Sequence, residues 1–253
     1  ARNPLNMEPA NIRLNKGISS KKLSGMIFYR PDGTQFDRTN IVYGESGRKI
    51  AEINQRWNAK NAVWMDMLKN DFMYKENGMF TLSSVFTGNT WRASSKTELY
   101  YNTAGKSDYL HNYTWNKKTG DWSDEPAIKG KWVYDDNGLA VEMVKWSFNK
   151  NTGEWDIPVT RILCSYDGQG NQLEEVFQLW NNVAESWKDA GKYTYSYNDT
   201  LGEVVCVSYI ASGGNWVYDG KIICSYDEDG DMSRCEYYDN NTDGSMNAYC
   251  IYA

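Results

Sequence analysis

Apolar and polar residues alternate along most of this chain, with the period of two that half-buried β-strands show. In the segment that ends at Tyr166, Cys164 and Tyr166 are separated by the polar Ser165. The segment that ends at Tyr226 has the same order, with Ser225 between Cys224 and Tyr226. Period two places each tyrosine on the same face of a strand as the residue two positions earlier. The pattern therefore predicts strands and a sheet with two chemically different faces.

A tyrosine followed by three residues and a glycine recurs along the chain. From Tyr43 to Tyr226 the motif returns every 27–33 residues. Glycine adopts positive φ without steric cost, and the Asp or Asn that often follows the tyrosine bonds its own backbone in turns. Each copy therefore predicts a tight turn between two strands. The copies are Tyr29–Gly33, Tyr43–Gly47, Tyr74–Gly78, Tyr101–Gly105, Tyr134–Gly138, Tyr166–Gly170 and Tyr226–Gly230, with one inserted residue in Tyr197–Gly202.

A second turn lies midway through each unit, as in Asn116–Gly120 and Asn149–Gly153. Two turns in about 30 residues leave two strands of about 10 residues each. The chain is therefore expected to be all-β, a meander of about 14–16 antiparallel strands built from tandem hairpins. We expect a twisted or superhelical open sheet, because the unit lengths drift and full closure would constrain them. Open edges would have to be blunted against pairing with other chains.

Two parts of the chain fit the repeat less well. Residues 48–74 contain apolar residues at helical spacing, so a helix is an alternative there, although register with the other units favours strands. Residues 1–22 have no periodicity and are expected to form an irregular lead-in. The remaining residues 23–253 are expected to form one continuous array and a single domain.

Pairs of tryptophans flank several of the mid-unit turns. Seven residues separate the members of most pairs, a spacing that places two rings opposite each other on adjacent strands. One interpretation is a hydrophobic spine that staples the hairpins together. The other is a ladder that binds sugar rings, because an exposed tryptophan offers a flat apolar surface. The candidate ligand-binding residues are Trp115 with Trp122, Trp180 with Trp187, and Trp146 with Trp155; Trp57 and Trp64 form a further pair.

Composition narrows the classes of partner. The net charge is −6 and the chain has no basic stripe, which argues against nucleic acid as a partner. No run of 18 apolar residues exists, so no membrane-spanning helix is expected. The 11 Trp and 19 Tyr outnumber the 7 Phe, and aromatic residues with a polar atom suit half-exposed surfaces.

The sequence predicts no enzyme, no catalytic residue and no cofactor. His111 is the only histidine, and it lies on a predicted strand between Tyr109 and Tyr113. A serine or cysteine triad needs a histidine base, and a zinc site needs clustered Cys and His. Most carboxylates fall in predicted turns, where solvated side chains are usual. The paired acids of a glycosidase cannot be identified from sequence, because the distance between the two carboxyl groups is a property of the folded protein.

All five cysteines lie in the last 90 residues. Counting outward from a turn at 241–244 predicts that Cys235 faces Cys250, and similar positions one unit earlier pair Cys206 with Cys224. Oxidation in an exported protein would then give two disulfides and leave Cys164 as a thiol. The alternative is five reduced cysteines that act as small apolar residues.

The segment from Asp239 to Gly244 matches the start of a calcium-binding loop. A complete loop of that type needs a bidentate glutamate at position twelve, which here is Cys250. We therefore expect a hairpin turn and no metal site.

Two segments, 193–199 and 223–230, resemble tyrosine–aspartate (YD-like) repeats. Together with Trp-Asn before the mid-unit turns at 115–116 and 180–181, they are similar to an uncharacterised family of secreted Bacteroidetes proteins. The resemblance covers residues 40–253 and implies export and a β-repeat fold. It implies no catalytic residues.

Two functions remain in view. The first is an exported, non-catalytic β-repeat scaffold that binds protein or cell-surface partners. The alternative is a carbohydrate-binding module that uses the tryptophan ladder. Because the chain begins at Ala1, removal of a signal peptide is presumed, and a secreted, periplasmic or cell-surface location is expected.

Overall fold

The computed structural model describes residues 22–149, 151–239 and 246–252. These segments contain strands and turns, so the all-β class is confirmed. Seventeen strands belong to one sheet, or sixteen without the two-residue strand β8. The strands are β1 Leu23–Tyr29, β2 Gln35–Tyr43, β3 Lys49–Asn58, β4 Val63–Lys75, β5 Gly78–Thr87, β6 Thr90–Tyr101, β7 Ser107–Asn116, β8 Asp121–Trp122, β9 Ile128–Tyr134, β10 Ala140–Asn149, β11 Glu154–Tyr166, β12 Gln172–Asn181, β13 Ser186–Asn198, β14 Glu203–Ser212, β15 Asn215–Tyr226, β16 Met232–Asp239 and β17 Met246–Tyr252.

The sheet is an antiparallel meander in which strands that follow each other in sequence also pair in space. The one interruption is β8, which pairs only with the tip of β7, so that β7 pairs directly with β9. Residues 48–74 form β3, its turn and β4, which decides the strand alternative over the helix. The expected lead-in at residues 1–22 lies outside the described residues except for Lys22.

The first and last strands of the sheet also pair with each other. β1 pairs with β2 along one side and with β17 along the other, from Tyr29 opposite Asn247 to Leu23 opposite Tyr252. The paired strands thus lead from β1 through the sheet and back to β1, a pairing that the open arrangement expected from sequence did not include. The differences in unit length are accommodated by turns, bulges and β8, so they do not prevent β1 and β17 from pairing.

Burial gives a reason for this pairing of the ends. Phe28 of β1 packs with Cys224 and Cys235 of β15 and β16 in a buried cluster, and its ring lies 5.7 Å from the ring of Tyr237. Few other hydrophobic side chains in the described part are buried, because a single layer of strands offers little interior. The buried hydrophobic residues are Phe28, Ala51, Leu110, Met143, Val204, Cys224 and Cys235.

The tyrosine–glycine motif forms the turns at one end of the sheet. At the β11–β12 turn, the Asp167 carboxylate accepts hydrogen bonds of 2.8 Å from the backbone N–H groups of Gln169 and Asn171, and Gly170 has a φ of 87°. Asp135 and Asp227 begin turns of the same kind. The copy at Tyr74–Gly78 differs, because β4 and β5 are joined there by a two-residue turn.

The tyrosine of the motif has a structural role of its own. In five copies its hydroxyl donates a hydrogen bond of 2.5–2.9 Å to the backbone carbonyl of the first residue of the strand beside it. This bond ties the end of one strand to the start of its neighbour, at the position where the strand would otherwise fray. The pairs are Tyr43 to Leu23, Tyr74 to Lys49, Tyr134 to Ser107, Tyr166 to Ala140 and Tyr197 to Gln172.

The sheet contains two related halves, β2–β7 and β11–β16. Arg38 and Arg161 are 123 positions apart (161 − 38), and the same offset relates residues 37–75 to residues 160–198. The β13–β14 turn has two more residues than the β4–β5 turn, so the offset becomes 125 in the later strands, as for Lys96 and Lys221. Equivalent residues occupy equivalent register positions, which makes the two halves a natural comparison.

Candidate functional site

The tryptophans predicted to pair across the mid-unit turns do so in three hairpins. The ring centroids of Trp115 and Trp122 are 5.1 Å apart at 74°, and those of Trp180 and Trp187 are 5.1 Å apart at 71°. Trp57 and Trp64 meet at 5.2 Å and 61°. Edge-to-face contact is a favourable aromatic geometry. All these pairs are half-buried.

The predicted pairing of Trp146 with Trp155 is wrong. Trp155 packs against Phe148, with ring centroids 4.7 Å apart, whereas Trp146 lies opposite Lys129 and Pro158. Phe148 and Trp155 are seven residues apart, the spacing of the other pairs, so this spacing would have identified the partner. A further pair, Phe86 with Trp91, crosses the β5–β6 turn at 5.1 Å and escaped prediction because that turn has only two residues.

Cations cover one side of several tryptophan rings. The guanidinium group of Arg38 lies 4.8 Å from the ring centroid of Trp64, and that of Arg161 lies 4.8 Å from the ring centroid of Trp187. The Lys129 ammonium lies 3.5 Å from the centroid of Trp155. A cation over an aromatic face is attracted by the ring quadrupole. These tryptophans therefore offer a ligand less free ring surface than an unpaired ladder would.

The arginine that contacts the tryptophan pair belongs to the same polar set in both halves. In the second half, Gln178 accepts a hydrogen bond from Arg161 at 2.8 Å and donates one to Asp189 at 2.7 Å. In the first half, Gln55 joins Arg38 to Asp66 in the same way, with both bonds at 2.6 Å. The constant offset of 123 residues is the sequence signal that would have revealed this set.

An aromatic and charged cluster lies on β6 and β7. Tyr100 and Tyr109 stack with centroids 4.4 Å apart at 16°, and Tyr109 is 38% exposed. The Glu98 carboxylate accepts hydrogen bonds from Tyr100 at 2.5 Å and Tyr113 at 3.2 Å. Although burial opposes it, hydrogen bonding from Tyr100 and then from Lys96 lowers the pKa of Glu98 to about 2.

His111 belongs to the same cluster. Its ring contacts those of Tyr100, Tyr109 and Tyr113, with centroids 5.4–6.4 Å away. Burial, and then the charge of Lys129, lowers its pKa, so the imidazole is neutral at pH 7. Within the described residues this histidine is packed among tyrosine rings and is not placed as the base of a serine or cysteine nucleophile.

A second group of titratable side chains is half-buried in the β11–β14 region. Burial raises the pKa of Glu175, whose carboxylate accepts a hydrogen bond of 3.3 Å from the amide of Gln172. Burial raises the pKa of Cys164 to about 11 and that of Cys206 to about 12, and it also raises the pKa of Tyr195. The two thiols and the phenol are therefore neutral at pH 7, which suits packing better than nucleophilic chemistry.

The cysteines lie in a different register from the predicted one. Cys235 is opposite Cys224 and Ala248, and Cys250 is opposite Met26 of β1. Cys206 is opposite Ile222 and Tyr195. Both predicted pairings are therefore wrong by two residues. The partners were predicted by counting outward from turn positions, and an error in a turn position shifts every partner counted from it.

Two acidic turns bear on metal binding. The calcium-like segment at 239–244 lies outside the described residues except for the strand residue Asp239, so the expectation of no metal there stays a prediction. In the β15–β16 turn, carboxylate oxygens of Asp227, Asp229 and Asp231 lie within 4.8 Å of one another. The Asp227 carboxylate accepts bonds from the backbone N–H groups of the other two residues, the same turn bonds that Asp135 and Asp167 make.

Comparison with known proteins relates the chain to others by fold. The solved structures of porin-like proteins from Bacteroides uniformis and Bacteroides vulgatus have TM-scores of 0.52 and 0.51. They cover 91% and 92% of this chain and 96% and 99% of their own, at 9% and 10% identity. A protein of unknown function from Bacteroides fragilis is 17% identical over 49% of this chain and 91% of its own, with a TM-score of 0.42.

No protein-family model and no curated protein matches the chain. In the part that the structure describes, no helix is long and apolar enough to cross a membrane. At these identities the likeness to the two porin-like proteins shows a shared all-β fold.

Proposed function

We propose that this protein is an exported, non-catalytic β-repeat scaffold of the bacterial cell envelope, and that it binds a protein or cell-surface partner through one apolar row of the sheet. The row crosses five strands in direct register, from Ile162 through Phe177, Gly191 and Ile210 to Val217. At its far end Ile210 is 42% exposed and Val217 is 44% exposed.

Comparison of the two halves is the observation that carries this proposal. The equivalent row in the first half is interrupted, because Thr39, Asn54 and Arg92 are polar and only Leu68 and Val85 are apolar. The same strands therefore form without an apolar row, so its apolar character is not a requirement of the fold. Adjacent exposed apolar side chains that folding does not need are typical of interaction sites.

Location and the absence of catalysis rest on separate observations. The porin-like proteins that share the fold come from Bacteroides, and this likeness supports a place in the cell envelope. The packing of His111 among three tyrosines supports a non-catalytic role, because it leaves the single histidine without a nucleophile to activate.

Photo-crosslinking in Bacteroides cells tests the proposal. A photoreactive amino acid at position 217 should give one defined protein adduct, and the same residue at position 92 should not. Val217→Arg, which copies Arg92 of the other half, should leave the melting temperature unchanged and abolish the adduct formed from position 210. Equal crosslinking from positions 92 and 217, or none from 210 and 217, would rule out the row as the binding surface.

Carbohydrate binding is the second candidate. The stacked Tyr100 and Tyr109 and the half-exposed tryptophan pairs support it, since sugar rings pack on aromatic faces. A small cavity of about 170 Å³, lined in part by Lys75, Asn77 and Tyr100, lies beside the stack and supplies polar groups. The covered faces of Trp64, Trp155 and Trp187 favour the scaffold over this alternative. Retardation of the protein by an immobilised polysaccharide, and its loss in Tyr109→Ala, would reverse that preference.

A further inference from the structure

Cys224 of β15 and Cys235 of β16 form the closest contact between two cysteines in the described part of the chain. They are directly opposite in the antiparallel register, and their Sγ atoms are 2.6 Å apart. This separation is shorter than the contact that two non-bonded sulfur atoms make. Directly opposite residues of an antiparallel pair have Cα atoms about 4.5–5.5 Å apart, which is within the range that a disulfide spans.

The first half shows what this position needs for folding alone. Leu99 and Leu110 occupy the equivalent positions, 125 residues earlier, and are paired in the same register. Leu110 is buried, as are Cys224 and Cys235. An apolar pair is therefore sufficient at this point of the sheet. The second half has two thiols there instead, and their sulfurs are directed at each other.

We propose that Cys224 and Cys235 are a site of oxidative modification, at which a cross-strand disulfide links β15 to β16. The oxidant is a small-molecule disulfide such as oxidised glutathione. The thiolate of one cysteine attacks a sulfur of that disulfide and releases one thiol. The thiolate of the second cysteine then displaces the other thiol, so one protein disulfide forms, one external disulfide is reduced and two protons leave the protein thiols.

The surroundings distinguish this pair from the other cysteines. Hydrogen bonding from Cys235 lowers the pKa of Cys224, whereas burial raises the pKa of Cys164 and Cys206. The thiolate is the nucleophile in disulfide exchange, so this pair reacts more readily than Cys164 or Cys206. Both side chains are buried, with exposures of 7% and 2%, so oxidation takes place during folding or local opening of the β15–β16 hairpin.

Oxidative refolding followed by peptide mapping tests this proposal. The full chain is refolded with oxidised glutathione, the remaining thiols are alkylated, and linked peptides are identified by mass spectrometry. The expected product joins Cys224 to Cys235, and its melting temperature is about 5 °C or more above that of the reduced protein. Recovery of both residues as alkylated thiols, or a link from Cys235 to Cys250 or from Cys206 to Cys224, would overturn the proposal.

Two variants keep the test interpretable. A double variant, Cys224→Leu with Cys235→Leu, copies the Leu99–Leu110 pair of the first half, so it should fold, and its melting temperature should not respond to oxidant. Cys206→Ser should still show the shift on oxidation. A shift that persists in the double leucine variant would assign it to another cysteine and would also overturn the proposal.

Discussion

The two halves of the sheet hold the same carboxylate in two different electrostatic settings. In the first half, Glu52 forms an ion pair with Lys49 at 3.2 Å. In the second half, the equivalent Glu175 accepts a hydrogen bond of 3.3 Å from Gln172, in place of the lysine. The contact geometry is nearly the same, but only the first half supplies a positive charge. Burial raises the pKa of Glu175, since a neutral amide offsets the cost of burying a carboxylate less than a cation does.

A second difference between the halves concerns an ion pair with a buried carboxylate. Asp37 is 5% exposed and accepts two hydrogen bonds from Arg56, at 2.9 and 3.0 Å. The equivalent residues of the second half are Thr160 and Leu179, which are also directly opposite in register. The backbone is therefore compatible with either solution. Side chains at one register position can therefore differ between the halves, while the tyrosine turns and the aromatic tips, the pairs Trp57–Trp64 and Trp180–Trp187 at the ends of their hairpins, are kept.

The largest expected effect concerns the aromatic tips that both halves share. Trp180→Ala should lower the free energy of unfolding by about 3 kcal/mol, the low end of the range for a buried aromatic, because the ring is half-buried. Trp57→Ala should cost a similar amount, since its contacts are equivalent. Urea denaturation measures both losses. If stability barely changes while binding to a polysaccharide falls, the tryptophans form a sugar-binding ladder and not a spine.

The ion pair of the first half gives the next largest effect. Arg56→Leu leaves the buried carboxylate of Asp37 without its partner and should cost about 2 kcal/mol, below the value for a fully buried pair because Arg56 is partly exposed. Adding Asp37→Thr, which completes the pair found in the second half, should restore most of the stability. Chemical denaturation of both variants measures this, and a double variant as unstable as the single one would show that the halves are not interchangeable.

The pH dependence of Glu175 offers a smaller effect. Because the folded-state pKa of Glu175 is raised, its ionisation costs stability above that pKa, and the cost disappears as the pH falls towards the unfolded value of about 4.5. Gln172→Lys should remove this cost and stabilise the protein at pH 7 by about 1 kcal/mol. Thermal unfolding at pH 5 and pH 7 measures the difference.

The matched control for that experiment lies in the first half. Lys49→Gln copies the second half and should destabilise the protein at pH 7 more than at pH 4. A Gln172→Lys variant that gains nothing at pH 7 would show that a nearby charge does not compensate for the burial of Glu175.

The smallest expected effect concerns the tyrosine hydroxyls. Tyr166→Phe removes the hydrogen bond to the carbonyl of Ala140 and should cost about 1 kcal/mol. Tyr43→Phe, its equivalent in the first half, should cost the same. Because these bonds tie strand ends, amide hydrogen exchange should increase mainly near residues 140 and 23. No change in exchange at either position would show that the motif acts only through its glycine.

The parts of the fold that were predicted from sequence are those that local chemistry determines. Period-two alternation and the turn residues identified the strands, and the motif beginning at Tyr166 located a turn with Gly170 at positive φ. The spacing of seven residues identified the Trp180–Trp187 contact. These features depend on residues close together in the chain, where turn geometry leaves little freedom.

Register between more distant residues was less accessible from sequence. Sequence spacing pairs Trp155 with Trp146 and Cys235 with Cys250. In the structure Trp155 packs against Phe148 and Cys235 lies opposite Cys224. A shift of one or two residues at a turn or bulge changes which side chains meet, and the sequence does not mark where each bulge occurs. The internal repeat is present in the sequence, but it is concealed where equivalent positions carry different residues, as with Lys49 in the first half and Gln172 in the second.

The sequence by itself determined the all-β class, the tandem hairpins and the aromatic hairpin tips, because alternation and turn chemistry act over a few residues. Only the tertiary structure decided that β1 meets β17, that Glu175 is half-buried beside an amide, and that Cys224 faces Cys235. These contacts join residues through the accumulated register of many strands and through packing of the cluster around Phe28. Local propensity carries no information about the register accumulated over many strands, so the contacts of these residues are determined only by the complete sheet.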